Sequence, residues 1–414
     1  MYKLKISLLV FICATHSSLV SAQSAWPGVQ WASAVNLSAS YPSDAIGLSG
    51  MYWNSYTGRL YTIGDKGYFY ALQYNKTTNL FTLIGTNSSM NGPEGVTMVN
   101  DSVNEFYTID ENSYQIRKYT HDADFSNIAL SKYWYLLQSP SPMTNTGNTG
   151  PEGICFVPDK YLKRVGFISS VSGKTYTSTK GMGGLIFIAH QNGGYVWVFD
   201  VNPQVTNDFA YVGKYKTNET ESCDAAFDRS TGLLYILHNT GDNYLEVTDM
   251  TTTLVSGEYK FVTEKEFLIP NPTGSINVEG FALSPKYPTE TNMGAWLCRD
   301  VKLADNADAV RWFPTFAAEG TDIRTDTPNI IKQTDEFNVF PNPVRNEFKL
   351  TYTGTEMTEY SVQMYSSLGQ LVLEKNHLIF PETIQVSTLK NGFYVMKISS
   401  NTGLQTLKTI VKTE

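Results

Sequence analysis

Charge is scarce in this 414-residue chain: Asp, Glu, Lys and Arg together make up 17% of it. The formal net charge is -8, and no run of basic residues stands out, which argues against a nucleic-acid or anionic-membrane partner. Cysteine is rarer still, with four in all. Cys13 lies in the leading segment, so three remain, and an odd number cannot be fully paired. Cys155, Cys223 and Cys298 sit in or beside apolar runs and lack zinc-type spacing, so they read as buried free thiols. A Cys155–Cys298 or Cys223–Cys298 bridge stays open. Long apolar runs are missing too. Aromatic residues, by contrast, reach 13%, with 26 Tyr, a composition that favours an all-β, extracellular type of protein.

The chain begins with a secretory pattern. Lys3 and Lys5 precede an apolar stretch at 6–14, too short to span a bilayer, and Val20-Ser21-Ala22 offers small residues before a cut at Gln23. Residues 1–22 are therefore expected to be a signal peptide. No other stretch is apolar enough to cross a membrane, so an exported product, soluble or surface-attached, is expected.

Internal repetition is the main fold signal. Asn-Gly-Pro-Glu-Gly-Val at 91–96 is echoed by Thr-Gly-Pro-Glu-Gly-Ile at 149–154. Following each such pair to the next aromatic strand defines five units, at 48–65, 93–111, 151–191, 223–239 and 278–300. The first four continue into two further strand-like runs, separated by Gly- and Asn-rich turns. In the fourth these are 244–247 and 258–267. Four antiparallel strands in tandem describe an all-β β-propeller over residues 23–314. Its fifth unit would borrow a strand from 30–38, closing the ring and removing exposed edges. Five blades are favoured, or six if the insertion at 159–183, with a strand-like 165–171, holds another. A pair of β-sandwiches is the alternative fold.

Residues 315–336 are polar and rich in Pro, Thr and Asp, and read as a linker. Residues 337–414 then form a compact block of alternating strands, a small β-sandwich. It carries Phe340-Pro341-Asn342-Pro343, then Leu368-Gly369-Gln370, then Leu389, Gly392, Tyr394 and Ile398. In that order at a chain end, these landmarks resemble the type A C-terminal sorting domain of the Bacteroidota type IX secretion system, with Phe340 in place of Tyr. The resemblance implies recognition by that machinery, outer-membrane passage, and release or surface attachment.

In a propeller the first strand of each unit lines the axis. Ser49, Glu94, Glu152, Asp224 and Glu279 are expected to meet there, and converging carboxylates repel and raise one another's pKa. A bound cation, buried water or nearby bases would relieve this; carboxylate oxygens suit a hard cation such as Ca²⁺, with Glu94, Glu152, Asp224 and Glu279 as ligands. A second register set ends the next strand: Gly64, Asp110, His190, His238 and Arg299. Asp65, Glu111, Gln191, Asn239 and Asp300 follow it and also face the channel in this reading. A histidine beside a carboxylate suits a general base, and an arginine suits an anionic substrate group. His121 and His377 fall outside the register and read as surface residues.

The "Glu-Gly" strands ending in acidic or amide residues, Glu94-Gly95 with Asp110-Glu111-Asn112 and Glu152-Gly153 with His190-Gln191-Asn192, resemble SdiA-regulated-like propellers and esterase-like domains named after phytase. Asp224-Ala225 and Ser49-Gly50 depart from that pattern. The resemblance implies hydrolysis of a phosphoester or other ester. One reading is thus a secreted metal-dependent hydrolase with His190 or His238 as base and Arg299 as anion clamp. A non-catalytic surface binding or adhesion propeller is the alternative, and a glycosidase using paired carboxylates is a third.

Overall fold

The computed structural model describes residues 23–45, 47–64, 66–270, 277–287, 292–302, 308–323, 337–352, 360–366, 370–400 and 405–414. The expected signal peptide lies outside them, as do Asp65, Leu368, Gly369 and residues 324–336. The chain divides into two compact units, Met1–Asp322 and Ile323–Glu414. Both are all-β.

Among its described residues the first unit contains five sheets. Sheet 1 is Leu48–Asn54, Arg59–Gly64, Tyr68–Asn75 and Leu80–Asn87. Sheet 2 is Pro93–Thr97, Glu105–Asp110, Gln115–His121 and Ile128–Tyr135. Sheet 3 begins with Pro151–Pro158, Gly184–His190, Tyr195–Val201 and Phe209–Lys216. Sheet 4 is Asp224–Asp228, Leu233–Thr240, Asp242–Thr248 and Lys265–Leu268. Sheet 5 is Val278–Leu283, Ala295–Arg299, Val310–Phe313 and, from the N-terminal side, Val35–Asn36. That last strand pairs through Val35 with Trp312, as the expected contribution from 30–38 requires. The first strands contact one another in cyclic order, sheet 1 to 2, 3, 4, 5 and back to 1.

Two of the expected strands need correction. The insertion at 159–183 opens with a helix, Asp159–Val165, and the strand expected at 165–171 is not among its elements; Tyr161 and Leu162 bury one side of the helix and Gly166 ends it in a left-handed cap. Beyond the helix the insertion contributes one isolated bridge, Ile168 with Thr175, and no sheet among the described residues. The run 258–267 is also not one strand. Lys265–Leu268 completes sheet 4, whereas Glu258–Phe261 and Thr252–Val255 form a hairpin that extends sheet 3, pairing parallel through Lys216 and Lys260.

Aromatic side chains fill the spaces between adjacent sheets. Trp53 of sheet 1 stacks on Trp296 of sheet 5 with centroids 4.7 Å apart, and Phe69 of sheet 1 on Phe106 of sheet 2 at 4.9 Å. Such pairs add about 0.5–1.5 kcal/mol each beyond area burial. The abundance of Tyr, Phe and Trp is therefore spent between sheets. His121, expected at the surface, is buried against Phe125 at 4.4 Å, its Nδ1–H donating to the Asp122 carbonyl. His377 is exposed. The three described cysteines are buried free thiols. Phe316 and Ala318, within the stretch read as linker, are buried in the first unit.

Among its described residues the second unit has two sheets over one apolar core. One is Phe337–Phe340, Glu347–Tyr352 and Glu382–Gln385; the other is Leu371–Leu378, Tyr360–Ser366, Gly392–Ser400 and Gln405–Lys412. Phe348, Leu350 and Ile384 of the first and Val362, Met364, Met396 and Ile410 of the second form the core.

Candidate functional site

A β-bulge opens the first strand of four sheets. The register shifts between Leu48 and Gly50, Pro93 and Gly95, Pro151 and Gly153, and Val278 and Gly280. The skipped residues are Ser49, Glu94, Glu152 and Glu279. A bulge frees its residue from the ladder and re-aims its side chain. The Glu-Gly pair thus turns a carboxylate out of the sheet. The glycine serves a separate need: a Cβ on Gly95 would lie 2.7 Å from the Glu152 carbonyl oxygen, and one on Gly153 only 2.4 Å from the Cα of Asp224.

The four bulge residues line one polar cavity of about 140 Å³. Glu111, Gln191 and Asp300, which follow the second strands of sheets 2, 3 and 5, complete its wall with Gly47. No Lys, Arg or His is among its described lining residues. Asn239 reaches it indirectly, donating from Nδ2 to Glu279 at 3.3 Å and also to Asn277. Glu111 accepts the Gly150 N–H at 3.0 Å. Burial, then the charges of Glu94, Glu111 and Glu279, push the Glu152 carboxyl well above the usual carboxylate range. Burial and the Asp300 charge push Glu279 up to about 7, against a lowering bond from Asn277. Among the described residues no three His, Cys, Asp or Glu side chains are already drawn together as a metal-ligand set.

Asp224 stands apart from the other carboxylates. Gly50, Gly95, Gly153 and Gly280 pair with the residue just before Gly64, Asp110, His190 and Arg299. Asp224 pairs with Leu237, just before His238, so it holds the glycine position and Cys223 holds the glutamate position. Sheet 4 begins without the bulge, and the alignment of Asp224 with Glu94 is one residue out of register. The Asp224 carboxylate accepts the N–H of Ala225 and of Phe281, each at 2.8 Å, and Met51 adds a third backbone donor.

The remaining expected site residues are engaged elsewhere. His238 is fully buried, with Nε2 3.1 Å from Glu246 and Nδ1 2.8 Å from the Glu221 carbonyl. Burial alone would raise the Glu246 carboxyl, but bonds from His238, Asn218 and Thr263 hold it below its usual range. His190 packs between Tyr114 and Trp197; burial, with Lys214 nearby, pushes its imidazole down to about 4. Its Nδ1 is buried without a partner. Arg299 turns to the Asp308 carbonyl at 3.2 Å and to the face of Trp31. Asp110 binds Arg117 at 2.6 Å. Of the residues one position after the second register set, then, Glu111, Gln191 and Asp300 line the cavity, and none of the set itself is among its described lining residues.

At the opposite ends of the first strands, a network not anticipated from sequence joins four sheets. Tyr52 donates to Asp101 at 2.6 Å, and Asn54 Nδ2 donates to the Asp101 carbonyl at 2.9 Å. Arg229 donates to the Met98 carbonyl at 2.6 Å, lies 3.8 Å from Asp101 and covers the Phe156 ring. Asp101 and Arg229 sit in turns outside the repeat register, where periodicity carries no signal.

Residues 338–412 match the secretion system C-terminal sorting domain family. That match supports export through type IX secretion, with release or surface attachment, and interaction with that machinery. No helix among the described residues is long and apolar enough to cross a membrane. No curated protein matches the chain at a significant level. Among solved structures, a chain of the nidogen/laminin complex is similar at 10% identity and TM-score 0.34, covering 64% of this chain and 84% of that one. Sqt1 from Saccharomyces cerevisiae is similar at 9% identity and TM-score 0.29, covering 88% and 84%. The extracellular domain of BT4673 from B. thetaiotaomicron is similar at 11% and 0.31, covering 95% and 59%. Likeness at this level carries neither fold nor function to this chain.

Proposed function

We propose that the first unit is a five-bladed β-propeller that binds a hard divalent cation, Ca²⁺ foremost, in its acidic axial cavity, and that it is exported as a binding module. The five-bladed reading is supported by five sheets of four or more strands, by the cyclic contacts of their first strands, and by closure of sheet 5 with Val35–Asn36. The observation that carries the cation reading is the convergence of Glu94, Glu111, Glu152, Glu279 and Asp300 on one cavity of about 140 Å³ with no basic residue among the described residues of its wall. Rotation of these side chains would bring carboxylate oxygens to the 2.3–2.6 Å that Ca²⁺ requires. The raised pKa values of Glu152 and Glu279 mean that binding would release protons. Asp224 drops out of the ligand set because its oxygens hold backbone N–H groups.

Titration of Ca²⁺ into the chelator-treated full chain, followed by calorimetry and thermal melting, tests this. A saturable site with a dissociation constant of about 1 mM or tighter is expected, lost in Glu152→Gln/Glu279→Gln. Absence of heat and of any melting shift with Ca²⁺, Mg²⁺ or Mn²⁺ would overturn it.

One observation favours a second reading, hydrolysis. Glu279 sits near pKa 7 beside Asp300, a pair suited to acid–base chemistry. His190, His238 and Arg299, engaged elsewhere, would play no direct part. Turnover of esters or aryl glycosides that vanishes in Glu279→Gln would establish this reading over the first.

A further inference from the structure

The outer face of the larger sheet in the second unit is apolar at one end. In an antiparallel sandwich, residues alternate between the core and a polar outer face. Along Gly392–Ser400, Tyr394, Met396 and Ile398 point inward and Phe393, Val395 and Lys397 outward. Phe393 is 67% exposed and Val395 42%. Their cross-strand partners continue the pattern. Val395 pairs with Tyr365, Tyr365 pairs with Leu371, which is 44% exposed, and Phe393 pairs with Val411. Apolar side chains thus form a stripe over four neighbouring strands. Two positions further along the same face, the chemistry turns polar: Lys397 pairs with Gln363, and Gln363 with Glu374.

The Phe340-Pro341-Asn342-Pro343 loop is fastened beside this stripe. Asn342 donates from Nδ2 to the Thr409 carbonyl at 2.7 Å and accepts the Val411 N–H at 2.8 Å. It thereby occupies hydrogen-bonding positions on the edge strand Gln405–Lys412, which would otherwise be open to pairing. Phe340, two residues earlier, is 78% exposed. The apolar surface is therefore not left over from core packing: the edge is capped while the face is left bare. Contiguous exposed apolar surface marks an interaction site.

We propose that this stripe, Phe393, Val395, Tyr365, Leu371 and Val411, is the surface by which the secretion machinery reads the sorting domain. The occupant is an envelope component of the type IX system presenting an apolar face. Export by that system is the premise: a block sorted by a receptor must show it a feature in the folded state, and the bare stripe is such a feature. Phe393 would be the anchor, since exposed aromatic side chains carry disproportionate interface energy.

The test is export of the full chain from a type IX-competent host, comparing wild type, Phe393→Asp/Val395→Asp, Phe393→Thr/Val395→Thr, Lys397→Asp at the polar end, and deletion of residues 337–414. Both stripe variants are expected to lower the extracellular and surface pool roughly tenfold or more, with uncleaved protein held in the periplasm. Lys397→Asp is expected to export normally. The threonine pair keeps β-propensity and guards against a simple folding failure, checked by melting of the purified full chain. Normal export of folded stripe variants, with export lost on deletion, overturns the stripe while leaving the sorting role intact. Normal export on deletion overturns the premise. Loss of a wild-type dimer in the stripe variants with export unchanged makes the face a self-association surface and likewise overturns the proposal.

Discussion

The carboxylate of Asp224 accepts the backbone N–H of Phe281 at 2.8 Å, tying the first strand of sheet 4 to that of sheet 5. The same group accepts the Ala225 N–H, with Met51 of sheet 1 as a further donor. One side chain thus satisfies backbone donors from three sheets where the first strands meet. Asp224→Ala leaves those N–H groups buried and unmet, and should destabilise the first unit by about 2–4 kcal/mol. Asp224→Asn keeps an acceptor and should cost less. Urea unfolding measures both. A loss below about 0.5 kcal/mol for the alanine variant would show that the carboxylate is dispensable.

Gly153 faces the same residue from the other side. A Cβ there would lie 2.4 Å from the Cα of Asp224 and 2.9 Å from the Ala225 nitrogen, both backbone atoms that cannot swing away. Gly153→Ala should therefore cost about 1–3 kcal/mol, the usual penalty of overpacking. Ser49→Ala, in the wider cavity wall, should lie within about 0.5 kcal/mol of wild type. Equal stability of the two variants would contradict the close approach of the first strands.

In the absence of cation the carboxylates of the cavity oppose one another. Glu152→Gln removes a buried carboxyl whose ionisation is resisted by burial and by Glu94, Glu111 and Glu279. At pH 8 without added cation this variant should be more stable than wild type by about 1 kcal/mol, and its response to Ca²⁺ should be lost. Melting with and without chelator reads both signs at once. A Glu152→Gln variant that is less stable under chelator, yet still responds to Ca²⁺, would remove Glu152 from the site.

The pH dependence has a definite sign. Glu279 titrates near 7 in the folded chain, above the ordinary 4.5. Its protonated form is favoured by folding, so its contribution is complete below about pH 4.5 and is lost as pH rises through 7. His190, lowered to about 4, acts oppositely over much of this window: its stability is present above about 6.5 and lost as pH falls. The comparison with Glu279→Gln cancels the histidine. From pH 5 to pH 8, wild type should lose about 2 kcal/mol relative to that variant, and saturating Ca²⁺ should flatten the difference. Parallel pH profiles for the two proteins would exclude a raised Glu279.

Much of the first unit was legible because three of its five units open on Glu-Gly, at 94, 152 and 279, each followed by an aromatic strand. The closing strand near 35 was readable because unit five lacked a fourth strand and an open ring would leave exposed edges. The hairpin 252–261 was not, because its register with Lys216 is a long-range pairing that local pattern cannot encode. The Asp224 position failed for a related reason: Asp-Ala looks like Glu-Gly, but sheet 4 has no bulge, and a one-residue shift swaps the faces. Glu111 and Asp300 were found as neighbours of the second register set. The set itself, Asp110, His190, His238 and Arg299, was expected in the cavity because the register was right but the side-chain direction was not. Ends of strands turn, and a residue one position later faces the opposite way.

His238 illustrates the consequence. Its ring is fixed at both nitrogens, by Glu246 at 3.1 Å and the Glu221 carbonyl at 2.8 Å, with no exposure to solvent. Glu246 in turn holds the Asn218 N–H at 2.8 Å and the Thr263 hydroxyl at 2.6 Å, joining the connection after sheet 3 to the last strands of sheet 4. Removing one partner of such a pair leaves the other buried and unmet. His238→Ala and Glu246→Leu should each lower the stability of the first unit by about 3–5 kcal/mol. The double variant should fall well short of their sum, since both lose the same interaction. Calcium affinity of the folded fraction, and any hydrolytic turnover, should stay near wild type, because neither residue lines the acidic cavity. A fall in turnover of a hundredfold or so in a His238→Ala protein that melts normally would restore the histidine as a base.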